Sequence, residues 1–130
     1  MTTSVLEELG LSIGEAAEAV GLTTHTLRWY ELEGLVEPVG RDSAGRRRYS
    51  QRDLNWLTML TKLRRTGMPV SDMRRYAELA RVGESTYDAR RELLKQHRDR
   101  VLARITDLHQ DLEAVNFKIA MYASLICGEQ

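Results

Sequence analysis

A chain of 130 residues with 42% hydrophobic and 6% aromatic side chains holds one small core plus an appended element, not two catalytic lobes. The formal net charge is zero, so the total says nothing of a polyanionic partner, and the single cysteine, Cys127, excludes an internal disulfide and a cysteine-rich metal or iron–sulfur site within one chain. No apolar run approaches the ~20 residues that cross a bilayer and no secretory leader pattern opens the chain, so a cytoplasmic protein is expected.

Taken in chain order, Ser12 followed by Glu15 spells a capping box, and Ile13, Ala16, Ala17 and Val20 stand at core spacing on the short helix Ile13–Val20 that Gly21 stops. Thr23 or Thr24 then caps a second short helix running to about Glu33, ended by Gly34. Two short helices joined by a glycine turn form a helix-turn-helix pattern. Leu35–Val39 reads as a short extended piece, Arg41–Gly45 as a turn and Arg46–Tyr49 as a returning strand, together a hairpin. Ser50 caps a third helix over about Gln51–Arg65, with Leu54, Leu57, Leu60 and Leu63 on one side. Gly67-Met68-Pro69 breaks it. Ser71 is expected to cap a fourth helix to about Arg81, with Met73, Tyr76, Ala77 and Ala80 facing inward.

From about Thr86 to Ile126 the chain has neither proline nor glycine. Val101, Ile105, Leu108, Leu112, Val115, Ile119, Tyr122 and Ile126 alternate steps of four and three, a heptad seam. A lone helix cannot bury such a seam, so a partner helix is expected.

Charge is distributed unevenly. Residues 1–22 hold four glutamates and no lysine or arginine, whereas residues 41–75 hold ten basic against three acidic side chains. A local basic field attracts a polyanion whatever the total. In the hairpin, alternation sets Arg46 and Arg48 on one face and Arg47 on the other.

The order of motifs carries a family resemblance. Thr26-Leu27-Arg28-Trp29-Tyr30-Glu31, then Gly34-Leu35 and Pro38, then Gly45-Arg46-Arg47-Arg48-Tyr49-Ser50 with Asp53-Leu54, and the Gly67-Met68-Pro69-Val70 break, resemble the head of the MerR family over about residues 12–82. The resemblance implies a mainly α protein: a winged helix-turn-helix with a small β-hairpin wing and a long C-terminal helix pairing as an antiparallel coiled coil. The expected layout is a tail (1–11), the DNA-binding head (12–82), a linker (83–85), the dimerisation helix (86–126) and a second tail (127–130). The implied partners are double-stranded DNA bearing an inverted repeat, a second copy of the chain, and RNA polymerase at the promoter.

The expected DNA contacts are Ser12, Thr23, Thr24, His25, Arg28, Tyr30, Arg46, Arg47, Arg48, Tyr49 and Arg64. Thr24 and His25 are of a kind that reaches base edges, and Arg28 can hold a phosphate or read a guanine. Tyr30, Tyr49 and Arg64 are carried over from the family pattern as phosphate contacts or their neighbours. Where the family has an aromatic after the glycine, this chain has Arg46, which leaves open whether that position packs or contacts phosphate. His25 as a plain solvent-exposed residue, and Arg65 as a plain charge at a helix C-terminus, stay open as well. The expected dimer seam is Val101, Ile105, Leu108, Leu112, Val115, Ile119 and Tyr122.

At the effector end, Leu63–Pro69, Arg91-Glu92-Leu93-Leu94, His97, Lys118-Ile119 and Tyr122 are similar to the aldehyde- and electrophile-responsive branch. That branch generally carries a cysteine in the helix after the wing. Here that stretch reads Asn55-Trp56-Leu57-Thr58, so a thiol switch there is not expected. His97, His109 and Cys127 are spread along the helix rather than clustered as zinc ligands, and no cofactor is expected. There is no glycine-rich phosphate loop, clustered carboxylate pair or nucleophile with a base, so an enzyme is not expected. The competing readings are an architectural or excisionase-like DNA binder without a transcriptional switch, and an adaptor that uses the coil for hetero-assembly.

Overall fold

The computed structural model describes residues 10–37 and 40–128. Of the expected features, tail residues 1–9, Pro38 and Val39 in the extended piece, and residues 129–130 lie outside the described residues. The chain divides into two units between Leu93 and Leu94.

In the first unit, α1 (Ile13–Val20) begins at the expected capping box. The Glu15 N–H donates to Ser12 Oγ (3.2 Å) and the Ser12 N–H to Glu15 Oε1 (3.0 Å), which holds the Glu15 carboxyl below its usual range. Gly21 ends the helix in the left-handed region (φ 73°), where a Cβ would be strained. Thr23, rather than Thr24, caps α2 (Thr24–Leu32), its Oγ1 accepting from the Thr26 N–H (3.1 Å).

The chain then departs from the expected extended piece. Leu35 and Val36 form a buried bend, not a strand. The Leu35 N–H donates to the Tyr30 carbonyl (3.0 Å), and the Leu35 carbonyl accepts from Trp56 Nε1 (2.8 Å). Both backbone groups are thereby spent inside the head and cannot join a sheet. The antiparallel hairpin starts later, pairing β1 (Gly40–Arg41) with β2 (Arg47–Arg48) in the register Gly40 opposite Arg48 and Arg41 opposite Arg47. A further bridge, which the sequence reading missed, joins Tyr49 to Leu11.

Ser50 caps α3 (Gln51–Arg65) with a second capping box, closed by Asp53. Its four leucines at i, i+3, i+6 and i+9 are all buried. The next helix, α4 (Val70–Val82), is capped by Pro69 and not by Ser71. Proline's fixed φ presets the entry and its carbonyl accepts from the Asp72 and Met73 N–H groups (3.0 and 3.1 Å). Ser71 already lies inside the helix, and Asp72 supplies the acidic charge in the first turn. The core draws on every one of these helices: Ala16 and Ala17, Leu27 and Tyr30, the α3 leucines, Met73 and Ala77, joined by Leu35, Tyr49 and Met68.

Where a linker was expected, Glu84–Thr86 forms a 3-10 turn. The Thr86 hydroxyl is shared between the Leu79 and Gly83 carbonyls (2.6 and 2.7 Å), and Arg90 donates to Thr86 Oγ1 (3.0 Å) and the Gly83 carbonyl (2.9 Å). The last helix, α5 (Tyr87–Ile126), runs 40 residues without interruption, about 60 Å at 1.5 Å per residue. Its second-unit portion carries the expected seam, and Ile105, Leu108, Leu112, Val115, Ile119, Tyr122 and Ile126 are 44% to 84% exposed. Leu102, Phe117 and Leu125, which lie off that seam, are exposed too. Among the described residues no helix is long and apolar enough to cross a membrane.

Candidate nucleic-acid interface

The first turn of α2 is the candidate reading surface. Its backbone N–H groups have no helical acceptors beyond the Thr23 cap, and a helix N-terminus favours an anion. His25 and Arg28 are exposed and Thr24 is half-buried. Arg28 and His25 have no hydrogen-bond or ion-pair partner among the described residues, so their donors are available to a ligand. The opposite face of α2 is core: Leu27 is 1% and Tyr30 2% exposed. Burial raises the Tyr30 phenol, and the Arg64 charge and then the nearby Thr61 side chain oppose that rise. The C-terminal end of α3 thus reaches the C-terminal end of α2.

The hairpin alternation holds. Arg46 and Arg48 both reach Asp42 Oδ2, each at 3.3 Å, while Arg47 on the other face reaches Glu31 Oε2 at 2.7 Å. The three arginines are not equivalent. The Arg46 side chain is 74% exposed, whereas Arg47 is 28% exposed and its partner Glu31 16%. Tyr49 is buried beneath the wing, and its hydroxyl donates to the second Glu31 oxygen (3.4 Å). Burial first, and the Glu31 charge next, push its phenol up to about 12.

Glu31 therefore fastens the wing to α2, a role the sequence reading did not assign. The only signal was an acidic residue in a stretch otherwise reserved for DNA, and nothing in the spacing says it pairs sixteen residues away. Asp42 was missed in the same way. Its carboxylate accepts from the Ala44 and Arg46 N–H groups (2.9 and 3.0 Å) and shapes the turn. Gly45 takes the left-handed φ of 80° that the turn requires. The Arg46 backbone N–H above all, then that of Ala44 and the Arg46 and Arg48 charges, hold the Asp42 carboxyl below its usual range. Leu11, the neighbour of Ser12, joins the end of the wing through its bridge to Tyr49, with N–H···O distances of 2.8 and 2.7 Å, while the polar groups of Ser12 serve the α1 cap. A third tie, Arg74 to Glu33 (2.9 Å), links α4 to the end of α2. Arg64 and Arg65 are exposed at the end of α3. Cys127 is exposed at the far end of the chain, and among the described residues no group of three or more His, Cys, Asp or Glu could hold a metal ion.

A capped helix, a wing locked to it and a basic helix end form one construction, and known family models match the chain over these same elements. The model of the MerR HTH family regulatory protein matches residues 11–79, and that of the MerR DNA-binding region matches residues 54–114. The chain belongs to the MerR family. It is a DNA-binding transcriptional regulator of that family. An uncharacterized HTH-type transcriptional regulator of Haemophilus influenzae is 39% identical over 108 residues, which span 83% of this chain and 80% of the relative. The crystal structure of HiNmlR, described as a MerR family regulator lacking the sensor domain and bound to promoter DNA, is 36% identical with a TM-score of 0.81, covering 89% of this chain and 92% of that one. A MerR family regulator from Listeria monocytogenes, also 36% identical, superposes with a TM-score of 0.87 over 92% of each chain.

Proposed function

We propose that this MerR-family chain acts in the cytoplasm as a homodimer on an inverted repeat in promoter DNA, without catalytic activity of its own. In this reading α5 pairs antiparallel with the α5 of a second copy along Val101, Ile105, Leu108, Leu112, Val115, Ile119 and Tyr122. Each head sets α2 in a major groove, with Thr24, His25 and Arg28 toward base edges and Ser12, Thr23, Arg46, Arg48 and Arg64 toward the backbone, while Tyr30, expected from the sequence as a contact, is 2% exposed and supports α2 from the core. Arg47 and Tyr49 serve the same surface from behind, through Glu31. The observation that carries this reading is the pairing of free donors on the first turn of α2 with a basic wing tied to that helix at 2.7 Å.

Bending and untwisting the operator to realign promoter elements for RNA polymerase is the step the family resemblance adds. A smooth bend costs about 1–6 kcal/mol, which wing–phosphate contacts offset. A two-fold protein is matched by two-fold DNA, so affinity should fall sharply when one half-site is scrambled. Fluorescence anisotropy on the intact repeat, a single half-site and random duplex, across salt concentrations, measures this. A steep salt slope with strong preference for the intact repeat supports the reading; equal affinity for all three duplexes overturns it. In vitro transcription from the bound promoter then separates a regulator from an architectural DNA binder, which bends DNA but leaves output unchanged.

A further inference from the structure

The head contains a half-open cavity of about 420 Å³, within the range of small-molecule sites. Its walls come from the Leu35–Glu37 bend, the N-terminal half of α3 and the C-terminal half of α4. One wall is an aromatic platform: Trp56 and Tyr76 lie parallel within 5°, ring centroids 5.3 Å apart, next to Met59 and Ala80. The Trp56 indole N–H is already donated to the Leu35 carbonyl, so the indole offers ring surface and no donor.

The polar groups around the cavity are unequally committed. Asp53 accepts from the Ser50 N–H and hydroxyl (2.9 and 3.0 Å). Arg81 donates to the Gly34 carbonyl and lies 3.8 Å from Glu37. Arg52 has no ion-pair or hydrogen-bond partner among the described residues. Asn55 uses only its carbonyl oxygen, which accepts from Gln51 (3.0 Å), and leaves its amide donors free. Arg52, Asn55, Trp56 and Met59 follow one another at i, i+3, i+4 and i+7, which sets two unspent donors beside the platform on one helix face. An aromatic wall with a cation and an amide donor at its edge complements an aromatic molecule with one anionic end.

We propose that this cavity binds a small aromatic monocarboxylate, its ring against Trp56 and Tyr76 and its carboxylate on Arg52 and Asn55. The site has leverage on the DNA surface. The Leu35–Glu37 bend connects α2 to the wing, and α3 leaves the wing directly, so a ligand there braces the hinge of both reading elements. This regulatory step rests on the DNA-binding reading above; the binding step does not.

Isothermal titration calorimetry of the full chain, without DNA, tests it with benzoate, naphthoate and indole carboxylate. Saturable binding is expected, weakened about tenfold or more by Arg52→Gln, which removes a charged hydrogen bond. Ala80→Leu, which fills the cavity, should abolish it. The neutral amides of the same rings should be indifferent to Arg52→Gln. No saturable binding by any of the three carboxylates, or equal affinity in both variants, overturns the site. So does binding that appears only when Leu112→Lys and Val115→Lys have made the chain monomeric, since a second copy would then cover the cavity. Operator affinity with and without ligand is a separate arm: an unchanged affinity overturns the regulatory step alone. A chain that ignores duplex DNA yet binds the carboxylates with the stated variant pattern defeats the DNA reading and leaves the site standing.

Discussion

Glu31 receives the Arg47 guanidinium on one oxygen and the Tyr49 hydroxyl on the other, and this single carboxylate separates what two neighbouring arginines do. Arg47→Ala strands a partly buried carboxylate, so the head should lose about 1–3 kcal/mol, read as a lower denaturation midpoint, with little change in the salt slope of DNA binding. Arg46→Ala should do the reverse. Stability stays put, while the slope of log K against log salt flattens by about 0.9 for the lost phosphate contact. Swapped outcomes would exchange the two roles. Tyr49 reports on the same carboxylate. Its phenol is raised in the folded chain to about 12, so its contribution to stability is full below the ordinary tyrosine value and is lost as pH rises through about 12. Alkaline ultraviolet titration should show Tyr30 and Tyr49 both ionising late, with the Tyr49 step at about 12. Glu31→Gln removes a charge that disfavours the phenolate, and should move that step to lower pH.

Among the elements, the wing depends most on a local arrangement. Asp42 is depressed in the folded chain, so its support is present above the ordinary aspartate value and fades as pH falls through the depressed one. In acid, exchange of the Ala44 and Arg46 amides should accelerate while the α3 amides stay protected. Simultaneous loss in both would mean that the turn has no independent stability. The helices were legible in the sequence because caps and periodicity are local: Ile13–Val20 and Gln51–Arg65 follow from Ser12, Ser50 and the residues after them. The start of α4 and the first strand were not. Ser71 competed with a proline whose rigid φ already sets the helix entry, and Leu35 looked like a strand residue until its carbonyl was claimed by Trp56, twenty-one residues on. Of the candidate site, the exposed donors of α2 and the opposite faces of the wing arginines were readable. The Glu31 and Asp42 partnerships were not, because nothing in a linear spacing announces which acid a distant arginine will meet. Tyr30 and Tyr49 matched their motif positions, yet their rings are core, and only the hydroxyls are left for polar contacts.

For the whole molecule the decisive feature is the seam of α5. A stripe of this length, exposed by 44% or more from Ile105 to Ile126, demands a cover, and the proposed cover is a second α5. Leu112→Lys with Val115→Lys should convert the protein to a single-chain species in sedimentation velocity and abolish the preference for an intact repeat. A double variant that still sediments as a dimer would move the interface elsewhere. The near end of α5 is held by Thr86 and Arg90 within its own unit, whereas its far half relies on what associates with it. With the proposed second α5 as that associate, stability along this rod becomes a function of concentration. On dilution the helix should melt inward from Ile126 while its first turns persist, so a cell making few copies would hold intact readers on unravelling stems, and occupancy of paired sites would climb more steeply than abundance.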